Sequence, residues 1–442
     1  MINFNMPEKI LDLHIHSRYS RACSADLELP KIAKACEQKG IDIVATGDFT
    51  HPAWVKHIKE NLVEIEKTGV YKLRVDLTPP PLKKGGIIDP PLFKAGEGGG
   101  QKTRFILGTE ISCIYKHKDA TRRVHLLILA PNIGAVEKFN AILTAKGVNT
   151  RVDGRPIMGL SAKEVLRIIL AIDPRFMMIP AHIWTPWFAV FGSKSGYDSL
   201  KDCFEELTPH IRAVETGLSS DPPMNHLLSA LDNITLVSNS DAHSLNNLGR
   251  EANCFLLDDA DINYNEITRI IKTGDKKKFL YTIEFYPEEG KYHHDGHAAC
   301  EVVLSPQETK AEKFLCPKCR KPVTVGVLHR VKDLADRPNP KPDSMLESVQ
   351  GRYVPYRYIV PLKEIIAKVF AVGPASKKVL KEYEAMIKNL GSEFFILLKA
   401  DIKEIAKNVS DKNIAIAIAN MRAGKVKVKP GYDGIFGSVD VV

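Results

Sequence analysis

Six short apolar runs recur through the first 243 residues: "IDIVATGD" (Ile41–Asp48), "RFILGTEIS" (Arg104–Ser112), "RVHLLILA" (Arg123–Ala130), "RFMMIPAH" (Arg175–His182), "IRAVETG" (Ile211–Gly217) and "ITLVSNSDAH" (Ile234–His243). Each has strand length, and a near-continuous apolar run reads as a strand buried on both faces. Helix-patterned stretches lie between most of them: Leu29–Lys39, Ser161–Ile172, Tyr197–Leu207 and Pro223–Leu231. Repeated strand–helix units confine a chain to a parallel sheet or a (β/α) barrel. In such barrels the site forms where strands end and loops begin.

The strand ends of this chain carry ligand-type residues. In "DLHIHSRYSRACSADL" (Asp12–Leu27), Leu11, Leu13 and Ile15 alternate with Asp12, His14 and His16. On a strand, His14 and His16 project from one face. Two adjacent imidazoles make a poor core pair and a natural start for a metal site. Asp48 and His51 follow the next run, and Glu110 ends the third. His125 lies in the fourth, His182 ends the fifth, and Asp241 and His243 close the last. Imidazoles and carboxylates converging on one mouth form a metal-ligand cluster. Nine groups exceed the needs of one ion, so two or three ions sharing a bridging carboxylate are expected. Divalent ions activate water near neutral pH and neutralise charge on a phosphodiester. A protein nucleophile is then unnecessary, and no persuasive Ser–His or Cys–His arrangement competes.

Two later stretches break the rhythm. Residues 69–103 are rich in Pro, Gly and Lys and read as a long inserted loop. Its "GEGGGQKT" misses the phosphate-loop spacing, because Gln101 separates Gly100 from Lys102. From Phe285 the texture turns polar. "CPKC" supplies Cys316 and Cys319, and "HAAC" supplies His297 and Cys300, a pattern for one structural zinc. His293 and His294 compete with His297 for the fourth place.

"DLADRPNPKPDS" reads as an extended linker, and helical patterns follow at Leu362–Phe370, Ala375–Leu390, Glu393–Leu398, Ile402–Lys407 and Lys412–Arg422. In "VFAVGPASKKVLKEYEAMI" a Gly-containing turn opens a basic helix, half of a helix-hairpin-helix pattern in which Lys377 and Lys378 grip a phosphate. "KVKVKPGYDGIFG" closes the chain with alternating lysines and a Gly-rich turn. The expected organisation is a metal-binding barrel over 1–284, a zinc finger over 285–334, a linker over 335–345 and a helical, helix-hairpin-helix-like DNA-binding domain over 346–442.

Charge supports that last assignment. The chain of 442 residues carries +9, and residues 346–442 hold 16 Lys/Arg against 10 Asp/Glu, two thirds of the excess. Basic terminal domains suit phosphate backbones. Eight cysteines in a chain this long are no disulfide scaffold. No basic-then-apolar leader opens the sequence and no run is long enough to span a membrane. The expected location is cytoplasmic, associated with the nucleoid through DNA.

The order HxH, D-x-x-H, GxE, H, H, DxH resembles the polymerase and histidinol phosphatase (PHP) superfamily. That resemblance implies an α/β fold with a distorted (β/α)7 barrel and a trinuclear site for phosphoester hydrolysis. It assigns His14, His16, Glu110 and Asp241 to a first ion. Glu110 bridges to a second, held with His125 and His182. A third takes His243 with Asp48 or His51. Asp241, Glu110 and His182 are the implied catalytic residues. The usual "TDH" reads "GDFTH" here.

With finger and tail added, the whole chain resembles the endonuclease Q family. "TGDFTHPAW", "WTPWFAVFGSKSGYDSL", "EEGKYHHDGHAAC", "GVLHRVKDLADRP" and "KPGYDGIFG" carry that likeness. It implies a DNA repair endonuclease cutting 5′ of uracil, hypoxanthine, xanthine and abasic sites in double- or single-stranded DNA. Zn2+ is the implied metal, two or three ions in the barrel and one in the finger, with Mn2+ or Mg2+ as alternatives in the barrel. Replication or repair proteins are further candidate partners. In "HIWTPWFAVFGSKSGY", Trp184, Trp187, Phe188, Phe191 and Tyr197 are candidates to stack on an extruded base, and Ser193, Lys194 and Ser195 to contact phosphate. The competing readings are a PHP-type small-molecule phosphoesterase and a non-catalytic DNA-binding protein.

Overall fold

The computed structural model describes residues 7–74, 103–118, 120–338 and 353–442. Seven strands form its central ring: β1 (Glu8–Asp12), β2 (Ile43–Ala45), β3 (Arg104–His117), β4 (Ala120–Ala130), β5 (Met177–Pro180), β6 (Ala213–Glu215) and β7 (Thr235–Val237). β1, β2 and β3 pair in parallel, and so do β6 and β7. The ring closes through strand-end contacts. Ile183 N–H, just past β5, donates to Glu215 O at 3.1 Å. Beyond β7, Ala242 bridges Ile15, and Asn239 Oδ1 accepts from Leu13 N–H at 2.9 Å. The result is a distorted (β/α)7 barrel.

The parallel order expected from the rhythm fails at β4, which lies antiparallel to both β3 and β5. The cause is length. β3 runs on to His117 and β4 begins at Ala120, and so short a connection makes a hairpin, since a parallel neighbour needs a crossover of a dozen residues or more. β1 also stops at Asp12, so His14 and His16 stand in the extended segment just past the strand.

One buried apolar cluster draws on all seven strands, including Leu11, Ile43, Ile106, Leu127, Ile179, Ala213 and Val237. The barrel interior is therefore packed. The helix Tyr264–Thr273 adds Tyr264, Ile267 and Ile271 to this cluster and covers the end away from the ligands. Outside, Leu29–Lys39 is a helix as its pattern indicates. Pro30 sits in its first turn, Gly40 ends it at φ +84°, and Leu29, Ile32, Ala33 and Cys36 face inward. Tyr197–Leu207 shortens to a helix over Leu200–Phe204 followed by a 3-10 turn. Pro223–Leu231 reduces to short turns at Pro222–Asn225 and Ser229–Leu231.

The barrel sheet continues beyond the ring. β8 (Ala252–Leu256) pairs with β1, β9 (Phe279–Glu284) with β8, and Tyr356–Tyr358 adds in parallel to β9. The expected insertion begins later than Gly69, because Val70–Leu73 is a strand paired with β3. Its remainder at 75–102 lies outside the described residues, as do 339–345 of the linker reading and 346–352 of the tail. The tail helices are Leu362–Phe370, Lys377–Leu390, Glu393–Leu398, Ile402–Lys407 and Asn413–Arg422. Among the described residues no helix is long and apolar enough to cross a membrane.

Candidate metal centre

Two ligand groups share one carboxylate. His14, His16, Glu110 and Asp241 bring ligand atoms within 4.8 Å of one another, and Glu110, His125 and His182 do the same. Glu110 divides its oxygens between them. Its Oε1 lies 2.8 Å from His125 Nδ1 and 3.1 Å from His182 Nε2. Its Oε2 lies 3.4 Å from His16 Nε2 and 3.8 Å from His14 Nε2. Asp241 Oδ1 stands 3.0 Å from His16 Nε2.

Strand register explains part of this. In the β3–β4 hairpin Ser112 opposes His125 and Glu110 opposes Leu127, so Glu110 and His125 are diagonal neighbours on one face. The other ligands come from strand ends where the chain turns sharply. His182 and Asp241 hold left-handed backbone, at φ 29° and 46°. Gly217 makes room beside His182, since a Cβ there would fall 2.5 Å from His182 Cβ.

The donor set fits divalent cations. His14 Nδ1 donates to both oxygens of Glu215 at 3.0 Å, which leaves Nε2 buried without a hydrogen-bond partner among the described residues. Burial disfavours charge on His14, yet Glu215 and Glu110 outweigh it and lift its pKa well above the usual range. Burial opposes charge on His16 too, and Asp48 and Asp241 win there. Glu110 is held well below the usual carboxylate range, because His125 and Arg155 overcome the cost of its burial. Burial pushes His125 down to about 4 against the opposing pull of Glu110. Cations in this mouth would displace the protons that the histidines otherwise hold.

Three of the nine candidates stand outside both groups. Asp48 is saturated: it accepts from Ser17 N–H at 2.7 Å, Ser17 Oγ at 2.6 Å and Ser20 Oγ at 2.9 Å, and holds His16 Nδ1 at 3.1 Å. In this arrangement it holds the His16 ring through Nδ1. His51 contacts Arg151 O through Nε2 at 3.2 Å and stacks on Tyr19 at 4.3 Å. His243 packs 4.6 Å from the His16 ring, with Nδ1 2.8 Å from the Asp241 carbonyl. The third-ion set is thus not gathered. Two residues absent from the sequence reading enter instead. Glu215 lies inside the quoted run "IRAVETG" and ends β6, so a carboxylate at a strand end was its signal. Arg155 puts Nη1 3.0 Å from Glu110 Oε2, and its loop carries no pattern that marks it.

The second cluster joins His297, Cys300, Cys316 and Cys319, with Cys319 Sγ 3.7 Å from His297 Nδ1. His293 and His294 lie outside it. The hairpin Asp295–His297/Val302–Leu304 carries one ligand, and its turn brings Cys300 near. The Cys316–Lys321 turn closes with Cys316 N–H donating to Lys321 O at 2.8 Å.

The aromatic loop splits. Trp184, Phe191 and Tyr197 are core residues. Trp184 Nε1 donates to Asn225 Oδ1 at 2.8 Å and its ring packs 4.9 Å from Phe191. Tyr197 pairs its hydroxyl with Tyr115 at 2.8 Å under Arg122. These three are not free to stack on a base. Trp187, 37% exposed, and Phe188, 4.6 Å from the His125 ring, remain at the mouth. Lys194 is exposed, Ser193 half-buried and Ser195 buried. Lys377 and Lys378 are exposed at the start of their helix, with Lys378 Nζ 3.9 Å over the Phe370 ring.

The crystal structure of the lesion-specific endonuclease PfuEndoQ from Pyrococcus furiosus matches this architecture with a TM-score of 0.80 and 30% identity, covering 98% of this chain and 95% of that one. The chain belongs to the endonuclease Q family. A second endonuclease Q crystal structure, in complex with a 27-mer duplex substrate bearing an abasic lesion at the active site, matches with a TM-score of 0.79 and 30% identity over 99% of this chain and 97% of that one. YqxK of Bacillus subtilis is 29% identical over 440 residues, 97% of this chain and 98% of that protein. MJ0043 of Methanocaldococcus jannaschii is 32% identical over 261 residues, 58% of this chain and 31% of that protein. The aligned stretch is thus under a third of that archaeal relative. The family model of the MJ0043 C-terminal domain matches residues 361–425, the helical tail of this endonuclease Q family member.

Proposed function

We propose that this chain is a DNA repair endonuclease that hydrolyses the phosphodiester on the 5′ side of uracil, hypoxanthine, xanthine and abasic sites. The observation that carries the reading is Glu110, buried between two ligand groups in a chain that follows the endonuclease Q fold from end to end. Zn2+, with Mn2+ or Mg2+ as alternatives, bound by His14, His16, Glu110 and Asp241 and by Glu110, His125 and His182, would activate water and neutralise phosphate charge. Glu215 and Asp48 fix the rings of His14 and His16 through Nδ1, so both present Nε2. Arg155 is suited to a non-bridging phosphate oxygen once Glu110 is engaged by cations. Trp187 and Phe188 border the place for an extruded base, and Lys194, Lys377 and Lys378 suit the backbone. Water oxygen bonds to phosphorus, the P–O3′ bond breaks, and the products carry 3′-hydroxyl and 5′-phosphate ends.

An end-labelled duplex with one uracil tests this. Asp241→Asn is expected to lower nicking by about three orders of magnitude while the duplex still binds, because one ligand charge is lost and the fold is not. Unimpaired cleavage by that variant rejects the site. Free uracil appearing before any strand break rejects the reaction.

A further inference from the structure

Phe436 is 69% exposed, more than any other large apolar side chain among the described residues, and Ile435 beside it is 41% exposed. They sit on the tip of the "KPGYDGIFG" loop, between the paired strands Lys427–Lys429 and Ser438–Asp440. This tip is rigid. Tyr432 and Ile435 exchange backbone hydrogen bonds at 3.0 and 2.8 Å around Asp433 and Gly434, both at positive φ, a two-residue hairpin turn. Asp433 accepts from Ala298 N–H at 2.6 Å and from Thr324 Oγ1, which ties the turn to the zinc-cluster segment. Gly431, Gly434 and Gly437 donate their N–H groups to Glu288, Lys291 and Glu289 carbonyls at 2.7, 3.0 and 3.1 Å. Gly437 admits no side chain, since a Cβ would fall 2.1 Å from Glu288 O. So firm a scaffold holding two apolar side chains in water has no packing reason.

Its surroundings supply one. Lys291 Nζ lies 4.6 Å over the Phe436 ring, and the next residue, Tyr292, meets Trp187 edge-on at 5.6 Å. Trp187 O accepts from Thr185 Oγ1 at 2.9 Å, and that hydroxyl is 3.1 Å from His182 Nδ1. The tip is thus linked to a ligand of the mouth through four residues. Lys427 and Lys429 are exposed on the adjoining strand, and Lys425 is exposed just before it. An apolar point flanked by lysines suits a base stack between two phosphate backbones.

We propose that Ile435 and Phe436 form a wedge that enters the duplex at the lesion and fills the space left by the extruded nucleotide. The inference rests on the lesion-nuclease reading and deepens it: the tip contributes to opening the duplex, not to hydrolysis. The test uses the full chain with its metals and an abasic-site duplex carrying 2-aminopurine next to the lesion. Phe436→Ser is expected to lower the ratio of duplex to single-strand nicking about tenfold, a small part of the cost of unstacking one step. Phe436→Leu, which keeps an apolar wedge, is expected to restore it. In the Asp241→Asn background binding should raise 2-aminopurine emission, and Phe436→Ser should remove that rise. An unchanged ratio and emission in the Ile435→Ser/Phe436→Ser double variant overturns the wedge. So does a concentration-dependent dimer that Phe436→Ser abolishes, which would assign the tip to a second copy. If the wild-type chain nicks neither substrate, the lesion-nuclease reading falls, while the emission measurement still decides the wedge.

Discussion

At the scale of single residues, the mouth depends on a carboxylate outside both ligand groups. Glu215 gives both oxygens to His14 Nδ1 and also accepts from His182 N–H at 2.9 Å and Asn239 Nδ2 at 2.8 Å. It sets one ligand of each group at once. Glu215→Gln keeps the shape but loses the charge, and metal affinity should fall about 10- to 100-fold by titration calorimetry. Unchanged affinity would mean that His14 is oriented by something else. His293 contributes to acid sensitivity. Burial, with a smaller push from His294, lowers it to about 3. The unfolded chain binds this proton near the ordinary histidine value of about 6.5 and the folded chain does not, so stability is full above that pH and declines towards about 3. Melting temperature should drop on acidification from neutral pH, and His293→Gln should make the drop shallower. Parallel slopes would show that the folded chain accepts the proton.

Among elements, the segment carrying His297, Cys300, Cys316 and Cys319 has a small core of its own. Its own core is Val302, Leu304, Cys316 and Val323, with Cys300 packed against them. Tyr286, Val327 and Val331 anchor its two ends to the main core, but around the four ligands that is little apolar surface without a staple. Cys316→Ser should release about one zinc per chain and speed amide exchange across 285–334, and through Asp433 in the tip loop as well. Full zinc content in the variant would exclude a metal knuckle. The β3–β4 hairpin behaves oppositely: eleven aligned residue pairs fix Glu110 against His125 whether or not cations are bound.

For the whole molecule, the tail is built into the barrel. Tyr356–Tyr358 extends the barrel sheet, and Lys39 of the first helix sets Nζ 3.5 Å from Glu393 Oε2, both side chains nearly buried. Glu393 also accepts from Leu362 N–H and Tyr383 Oη at 2.9 Å. Asn246, on the segment after Asp241 and His243, takes Lys39 through its carbonyl and Lys363 through its side chain. Ending the chain at Met345 strips an edge strand and leaves Lys39 without its carboxylate, a change of about 3–5 kcal/mol for a broken buried pair. The truncated chain should melt at lower temperature, and its DNA binding should weaken less steeply with salt because the basic tail is gone. A truncated barrel as stable as the full chain would show that the two parts are independent.

Local signals were legible in the sequence. Leu29–Lys39, Leu362–Phe370, Glu393–Leu398 and Ile402–Lys407 are helices over the residues that their patterns mark, because periodicity and end residues act within a few positions. The ligand-type residues stood out because cations accept few side chains. Tertiary structure alone decided how those residues divide. Asp48 and Glu110 read alike as carboxylates at strand ends, but Ser17, Ser20 and His16 consume Asp48's oxygens while Glu110 faces two histidine groups. Trp184 and Trp187 lie in one loop three residues apart, yet Asn225 and Phe191 bury the first while the second stays half in water. Neither distinction is local, because each rests on which distant donor or ring the fold brings alongside, and residue type and spacing carry no record of that.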